Sequence, residues 1–165
     1  MMDAAVHNHV VNHIGINVPD LDAAIGWYAA VLGFQVVVPI ADVVAGKGQA
    51  GMRFAQINGP NFQRGRVAYL TSGNGVGIEM FQFVEPRTPA FIDDWEFWRP
   101  GIWHICVTTP DVAAMAARVA ASGGKHRSAV IEAPPGFRLT FCADPWGNPI
   151  ELADASYDRT AQAGR

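Results

Sequence analysis

Apolar and polar residues alternate along two short stretches of the chain that lie 91 positions apart, counted from His13 to His104. In residues 13–18, and again in residues 102–109, every second side chain is apolar, which is typical of a β-strand with one buried face. A Pro-Asp pair follows each stretch, and apolar residues then recur every three or four positions, which indicates a helix. The same order of signals in two places predicts an internal repeat of one strand–helix module.

Both predicted helices carry capping residues at their ends. Asp20 and Asp111 precede helices predicted over residues 21–32 and 112–122, and an aspartate there accepts a hydrogen bond from a free backbone N–H. Glycine follows each helix, at position 33 and at 123–124, where a left-handed backbone costs least. Three strands are predicted after each helix, over residues 34–38, 66–71 and 76–84 in the first copy and 126–131, 138–143 and 149–153 in the second.

These elements predict an α+β fold built from two βαβββ modules. The first module spans residues 10–85 and includes an insertion at about 39–65, which we interpret as a loop with one helical turn near 49–57. The second module spans residues 102–154, and a connector at 86–101 joins it to the first. An N-terminal tail is expected at 1–9 and a C-terminal tail at 155–165.

Composition narrows the classes of function. The 165 residues are 50% hydrophobic and 16% charged, as in an ordinary globular protein. The formal net charge is −3 and no basic stripe occurs, which argues against nucleic acid as the main partner. No apolar run is long enough for a membrane span and no secretory signal is seen, so a cytoplasmic protein is expected. The two cysteines, Cys106 and Cys142, have no metal-ligand spacing around them.

Each copy of the repeat carries one histidine and one glutamate inside strands that are otherwise apolar. His13 and His104 occupy equivalent positions in the first strands, and Glu79 and Glu151 lie in the last strands. His13 and Glu79 are 66 residues apart, and His104 and Glu151 are 47 residues apart. The insertion in the first module accounts for the difference. A carboxylate in a buried strand is costly unless it is paired or binds a metal. If the copies pair about a pseudo-twofold axis, two imidazoles and two carboxylates converge, which suits a divalent transition metal with open coordination positions.

Four stretches of the sequence resemble the vicinal oxygen chelate superfamily, which includes glyoxalases, bleomycin-resistance proteins and dioxygenases: HIGINVPDLDAAIGWYAAVLGF, GIEMFQF, WHICVTTPDV and DPWGNPIEL. The resemblance covers residues 10–155, and it implies two βαβββ modules that form a cupped mixed β-sheet around a metal site. The metal ligands that it implies are His13, Glu79, His104 and Glu151.

The filled ligand positions resemble those of glyoxalase I and methylmalonyl-CoA epimerase. The resemblance therefore implies a divalent-metal-dependent lyase or isomerase, which abstracts a proton next to a carbonyl and forms a metal-bound enediolate. One divalent ion per site is expected, whether Zn, Ni, Co, Mn or Fe. Glu151 is the first candidate for the catalytic base, and Glu79 is the second because the site is pseudo-symmetric. The resemblance also implies a homodimer, with the metal site within one chain or shared between two chains, of which we favour the shared arrangement.

The expected substrate is a small molecule with vicinal oxygens. Phe81 and Phe83 share a strand face with Glu79 and predict an aromatic wall of the pocket. Arg53 and Arg66 lie in and beside the insertion and are candidates for binding an anionic arm of the substrate. No residue pattern identifies glutathione or coenzyme A. Two alternatives stay open, namely an Fe(II) extradiol-type dioxygenase and a non-catalytic protein that binds a small molecule or confers antibiotic resistance.

Overall fold

The computed structural model describes residues 9–90, 95–98, 100–133 and 136–162. The chain divides into two compact units, Met1–Pro89 and Ala90–Arg165, and the boundary falls within the predicted connector. Most of the predicted N-terminal tail, residues 1–8, and the last three residues of the predicted C-terminal tail lie outside the described residues. No helix among the described residues is long and apolar enough to cross a membrane.

The first unit is a four-stranded sheet with two helices. Its elements are β1 (His13–Asn17), α1 (Leu21–Leu32), β2 (Gln35–Val44), α2 (Gly48–Asn58), β3 (Arg64–Thr71) and β4 (Gly77–Glu85). The strand order is β1-β4-β3-β2, and β1 runs parallel to β4 while the other neighbours are antiparallel. The first and last strands of the module are therefore hydrogen-bonded neighbours.

Helix α1 begins and ends as its sequence predicts. The Asp20 side chain accepts a hydrogen bond from the backbone N–H of Ala23, and Gly33 adopts the left-handed conformation at φ 73°. Its buried face includes Leu21 and Tyr28, both without exposed surface. Trp27 is also buried on this helix.

The insertion of the first unit is more ordered than the predicted loop. Strand β2 continues to Val44, with register shifts against β3 after Val36 and Val38, and α2 extends over three turns instead of one. A Cβ atom at Gly51 would collide with the carbonyl oxygen of Val44. Glycine therefore permits α2 to lie directly against the end of β2, and the buried ring of Phe54 joins Val43, Phe62 and Val67 in a core cluster.

The second unit repeats the plan without α2. It contains β5 (Ile105–Thr108), α3 (Val112–Ala121), β6 (Lys125–His126), β7 (Ile131–Ala133), β8 (Phe137–Ala143), β9 (Pro149–Ala153) and α4 (Tyr157–Gln162). The strand order is β5-β9-β8-β6, with β5 parallel to β9 and β7 paired to β8. Together the two units have the predicted α+β class, with mixed sheets in both.

Three boundaries in the second unit differ from the sequence prediction. The strand predicted over 126–131 is split into β6 and β7. Between them, the hydroxyl of Ser128 accepts a hydrogen bond from the backbone N–H of Phe141, and its carbonyl oxygen accepts one from the hydroxyl of Thr140. These bonds replace the regular strand pairing with β8. The first strand begins at Ile105, so His104 lies just before it. The predicted C-terminal tail contains the short helix α4.

Candidate functional site

His13 and Glu79 lie side by side on the open face of the first sheet. The parallel register of β1 and β4 places Gly15 opposite Glu79 and His13 opposite Gly77, so both functional side chains project from the same face. The distance from Nε2 of His13 to Oε2 of Glu79 is 3.6 Å. A Cβ at Gly77 would lie 3.0 Å from the Cβ of His13, so glycine leaves the space that this imidazole occupies. The imidazole Nδ1 also lies 2.8 Å from Oδ1 of Asn12.

His104 and Glu151 form the equivalent pair in the second unit, at closer range. Nε2 of His104 lies 3.0 Å from Oε2 of Glu151. The imidazole packs edge-on against the rings of Trp103 and Phe141, with centroid distances of 4.7 and 5.3 Å. Asp144 holds the turn that leads into β9, because its buried carboxylate accepts hydrogen bonds from the backbone of Trp146 and from Asn148. That turn fixes where β9 begins and therefore the place of Glu151.

A cysteine lies beside Glu151. Cys106 is paired with Glu151 across β5 and β9, so the two side chains share a face. Desolvation, and then the negative charge and hydrogen bond of Glu151, raise the pKa of the Cys106 thiol to about 12. The thiol is therefore protonated near neutral pH and is a poor nucleophile.

The first unit encloses a cleft of about 810 Å³ above its sheet, which we call the α2 cleft. The His13–Glu79 pair lies in its lining, and the rings of Phe81 and Phe83 lie beside the pair, stacked at 14° with 6.2 Å between centroids. Helix α2 forms the opposite wall through Arg53, Phe54, Ile57 and Asn58. One volume therefore brings together an imidazole, a carboxylate, an aromatic surface and a cation.

The two candidate arginines are placed differently. Arg53 lies in the lining of the α2 cleft and makes no hydrogen bond or ion pair with any other described residue. Arg66 is not part of that lining, because the register of β3 puts it opposite Gln82, on the sheet face turned away from Glu79. There its guanidinium donates to Asp22 at 2.6 Å and to Gln82 at 3.1 Å. Arg66 therefore ties the sheet to α1, and of the two arginines predicted to bind an anionic arm of the substrate, Arg53 is the one that lines the α2 cleft.

Several lining residues were not singled out from the sequence. Asn17 is two strand positions beyond Gly15, and the alternation in β1 already put it on the face of His13. Tyr69 lies opposite Glu79 across β3 and β4, which only the hairpin register discloses. Apart from Arg53, the lining residues of α2 were not singled out, because the segment was interpreted as a loop with one helical turn.

Each unit thus offers one imidazole nitrogen, from the start of its first strand or the residue just before it, and one carboxylate oxygen from its last strand. These are nitrogen and oxygen donors of the kind that divalent transition metals bind. Among the residues that the structure describes, no group of three or more His, Cys, Asp or Glu side chains is arranged to hold a metal ion.

Sequence comparison relates the chain to known proteins. The family model described as "Glyoxalase/Bleomycin resistance protein/Dioxygenase superfamily" matches residues 10–152. The chain is 25% identical over 147 residues to a protein named 2-epi-5-epi-valiolone epimerase from Actinomyces sp, with 86% of this chain and 77% of that protein covered.

Solved structures share the fold. A glyoxalase family protein from Bacillus cereus is similar at a TM-score of 0.75 and 23% identity, with 91% of this chain and 97% of that chain covered. A variant of glyoxalase I from Zea mays is similar at a TM-score of 0.59 and 18% identity, with 88% of this chain but 45% of that chain covered. Likeness at these identities establishes the architecture.

Proposed function

The chain belongs to the Glyoxalase/Bleomycin resistance protein/Dioxygenase superfamily, and we propose that it is a divalent-metal-dependent isomerase of the epimerase type. The observation that carries the proposal is the doubled pair: His13 beside Glu79, and His104 beside Glu151, at equivalent places in two units. A single imidazole–carboxylate contact is a common structural ion pair. Its repetition on the open face of both sheets favours a role in binding.

The donor chemistry fits a divalent metal. We propose His13, Glu79, His104 and Glu151 as its ligands, with the two pairs contributed by one chain or by two chains of a homodimer. All four side chains are partly exposed, between 19% and 47%, so none has to be uncovered before it binds an ion. Imidazole and carboxylate ligands suit Zn, Ni, Co, Mn and Fe, which are the metals to test.

The proposed chemistry is proton transfer at a carbon next to a carbonyl. When bound, a divalent metal supplies a Lewis acid that stabilises negative charge on the substrate oxygens. Glu151 takes the proton from the carbon, and Glu79 is the alternative base because it holds the equivalent position in the repeat. Epimerisation requires that a proton be added to the opposite face of that carbon. The second glutamate, in its protonated form, is the group proposed to donate that proton, while Glu151 keeps the one that it took. Glu151 and Glu79 are thus the proposed catalytic residues.

The α2 cleft is the proposed substrate pocket. Its stacked Phe81 and Phe83 supply an apolar surface for the body of a small molecule, and Arg53 supplies a cation that has no other described partner. The 25% identical relative is named as an epimerase of 2-epi-5-epi-valiolone, so that compound is the first substrate to test. We propose a cytoplasmic location for the protein.

Metal content and turnover test the proposal together. Purified protein loaded with Zn, Ni, Co, Mn or Fe(II) in turn should bind about one ion per site, measured by calorimetry and elemental analysis. His104→Gln should lose most of the bound metal. The matched control is His126→Gln, in the same unit, because His126 contacts Thr140 and not the pair. Wild-type protein that binds none of these metals would refute the proposal and favour a binding or resistance protein.

The reaction class needs its own measurement. Incubation of the metal-loaded protein with 2-epi-5-epi-valiolone in deuterated water should give exchange of the proton next to the carbonyl, followed by NMR. Oxygen consumption with a catechol and Fe(II)-loaded protein, without such exchange, would instead establish the dioxygenase alternative.

A further inference from the structure

The two histidines of the repeat are preceded by very different residues. Asn12 comes before His13, and Trp103, in the equivalent position, comes before His104. The amide of Asn12 lies against its histidine as a hydrogen-bond partner, whereas the indole of Trp103 packs edge-on against its histidine as an apolar wall. Because the partner of one ring nitrogen decides which nitrogen carries the proton, this difference distinguishes the two halves of the repeat.

In the first unit, the contacts favour the tautomer of the neutral imidazole that carries its proton on Nδ1. Oδ1 of Asn12 lies 2.8 Å from Nδ1 of His13, and an amide oxygen only accepts, so Nδ1–H donates to it. Nε2 then carries the lone pair. Its distance of 3.6 Å from Oε2 of Glu79 agrees with this assignment, since it is longer than a hydrogen bond to a carboxylate.

In the second unit, the contacts favour the other tautomer. Nε2 of His104 lies 3.0 Å from Oε2 of Glu151, and an ionised carboxylate only accepts, so Nε2–H donates to it. Nδ1 of His104 is buried and has no hydrogen-bond partner among the described residues. A proton placed on Nδ1 would therefore be an unsatisfied buried donor between the rings of Trp103 and Phe141.

We propose that Asn12 is a positioning residue that fixes His13 as the Nδ1–H tautomer, while His104 rests as the Nε2–H tautomer. The consequence rests on the proposed metal-binding function: a metal would bind the lone pair of Nε2, which His13 presents already and which His104 presents only after its proton moves from Nε2 to Nδ1. Of the two histidines, His13 is therefore the one that can bind a metal without a change of tautomer. Asn12 contributes to metal affinity without touching the ion, as hydrogen-bond partners of metal-binding histidines generally do.

Long-range ¹H–¹⁵N NMR of ¹⁵N-histidine protein, stripped of metal by a chelator, reads the tautomers directly, because the protonated and lone-pair nitrogens resonate in separate regions. We expect the proton on Nδ1 of His13 and on Nε2 of His104. In Asn12→Leu, which removes the acceptor, His13 should lose its Nδ1–H preference. Asn12→Asp keeps an acceptor oxygen at the same place and should retain it. The matched control is Asn61→Leu, since Asn61 is exposed and lies outside the lining of the α2 cleft.

Calorimetric titration with Zn²⁺ gives the second readout. Asn12→Leu should weaken binding about 10-fold to 100-fold, Asn12→Asp should restore wild-type affinity or exceed it, and Asn61→Leu should leave it unchanged. Wild-type His13 with its proton on Nε2, or an Asn12→Leu protein whose His13 tautomer is unchanged, would overturn the proposal. If wild-type protein shows both expected tautomers but binds no metal, the proposed function fails while the role of Asn12 in fixing the imidazole stands.

Discussion

Phe54 of α2 packs against Phe81 of β4, with 6.1 Å between the ring centroids. This contact joins the wall of the α2 cleft to its floor. Phe54 is buried, and its ring also touches that of Phe62 just after the helix. The helix lacks a side-chain hydrogen bond at its N-cap and contains two glycines, and Phe54 is its one buried residue with a large side chain. Packing of this one ring is therefore the main support of the cleft wall.

Phe54→Ala should release α2 from the sheet. We expect the free energy of unfolding to fall by about 3–5 kcal/mol, the usual cost of deleting a buried phenyl ring, in urea titrations followed by circular dichroism. Hydrogen exchange at the amides of α2 should speed up more than exchange in β3 and β4. Met52→Ala, an exposed position of the same helix, is the control and should change stability by no more than about 0.5 kcal/mol. Equal stability of both variants would contradict this account of the cleft wall.

Substitution with glutamine tests which of Glu151 and Glu79 acts as the catalytic base. Glutamine keeps an oxygen that can bind a metal but takes no proton near neutral pH. With 2-epi-5-epi-valiolone in deuterated water, either Glu151→Gln or Glu79→Gln should lower exchange by about 10²-fold or more, the usual contribution of a catalytic base, while metal stays bound. Glu132→Gln, at an exposed position of β7, should exchange at the wild-type rate. If both active-site variants also exchange at that rate, neither glutamate is the base.

Features encoded by neighbouring residues were predictable from the sequence. The caps at Asp20 and Asp111 depend on residues three positions apart. The equivalent places of the two His–Glu pairs likewise follow from the repeat and from strand alternation. The contact within each pair also needs the first and last strands of a module to be parallel neighbours, which the structure supplies.

Features that depend on register and packing were not predictable in the same way. The face on which Arg66 lies is decided by its pairing with Gln82, which the hairpin turn sets. Helix α2 was predicted as a loop because glycines disfavour helix, yet Gly51 is the residue that allows the helix to approach Val44. The local cost of glycine was visible in the sequence, whereas the contact that offsets it was not.

The stability of the second unit should depend on pH through Asp154. Its carboxylate accepts from the backbone N–H of Arg138 at 2.7 Å and from the Arg138 guanidinium at 2.9 Å, and these bonds hold the pKa of Asp154 below its usual value. A carboxyl whose pKa is lower when folded stabilises the fold above its unfolded pKa of about 3.9. That stabilisation is lost as the pH falls through the folded pKa.

Asp154→Asn should therefore be less stable than wild type at pH 7, and the difference should disappear at pH values below the folded pKa, where Asp154 is itself neutral. Urea midpoints measured from pH 7 down to pH 2.5 check this. The control is Asp158→Asn, which removes the same charge from α4 without touching Arg138. A difference between wild type and Asp154→Asn that persists unchanged at pH 2.5 would show that the carboxylate charge is not the cause.

Mixing two inactive variants should decide how the His–Glu pairs combine. We expect sedimentation to give a dimer, twice the chain mass of 17.8 kDa, and we expect its metal sites to be shared between chains. His13→Ala and His104→Ala homodimers would then bind little metal. If sites are shared, a heterodimer of the two variants has one intact site and one site that lacks both histidines, so co-refolded mixtures should regain up to one metal ion per heterodimer. If each chain completes its own site, every site in the mixture lacks one histidine and no metal binding returns.

Wild-type protein taken through the same refolding procedure controls for losses of protein, and a monomer at micromolar concentration would contradict the shared site outright.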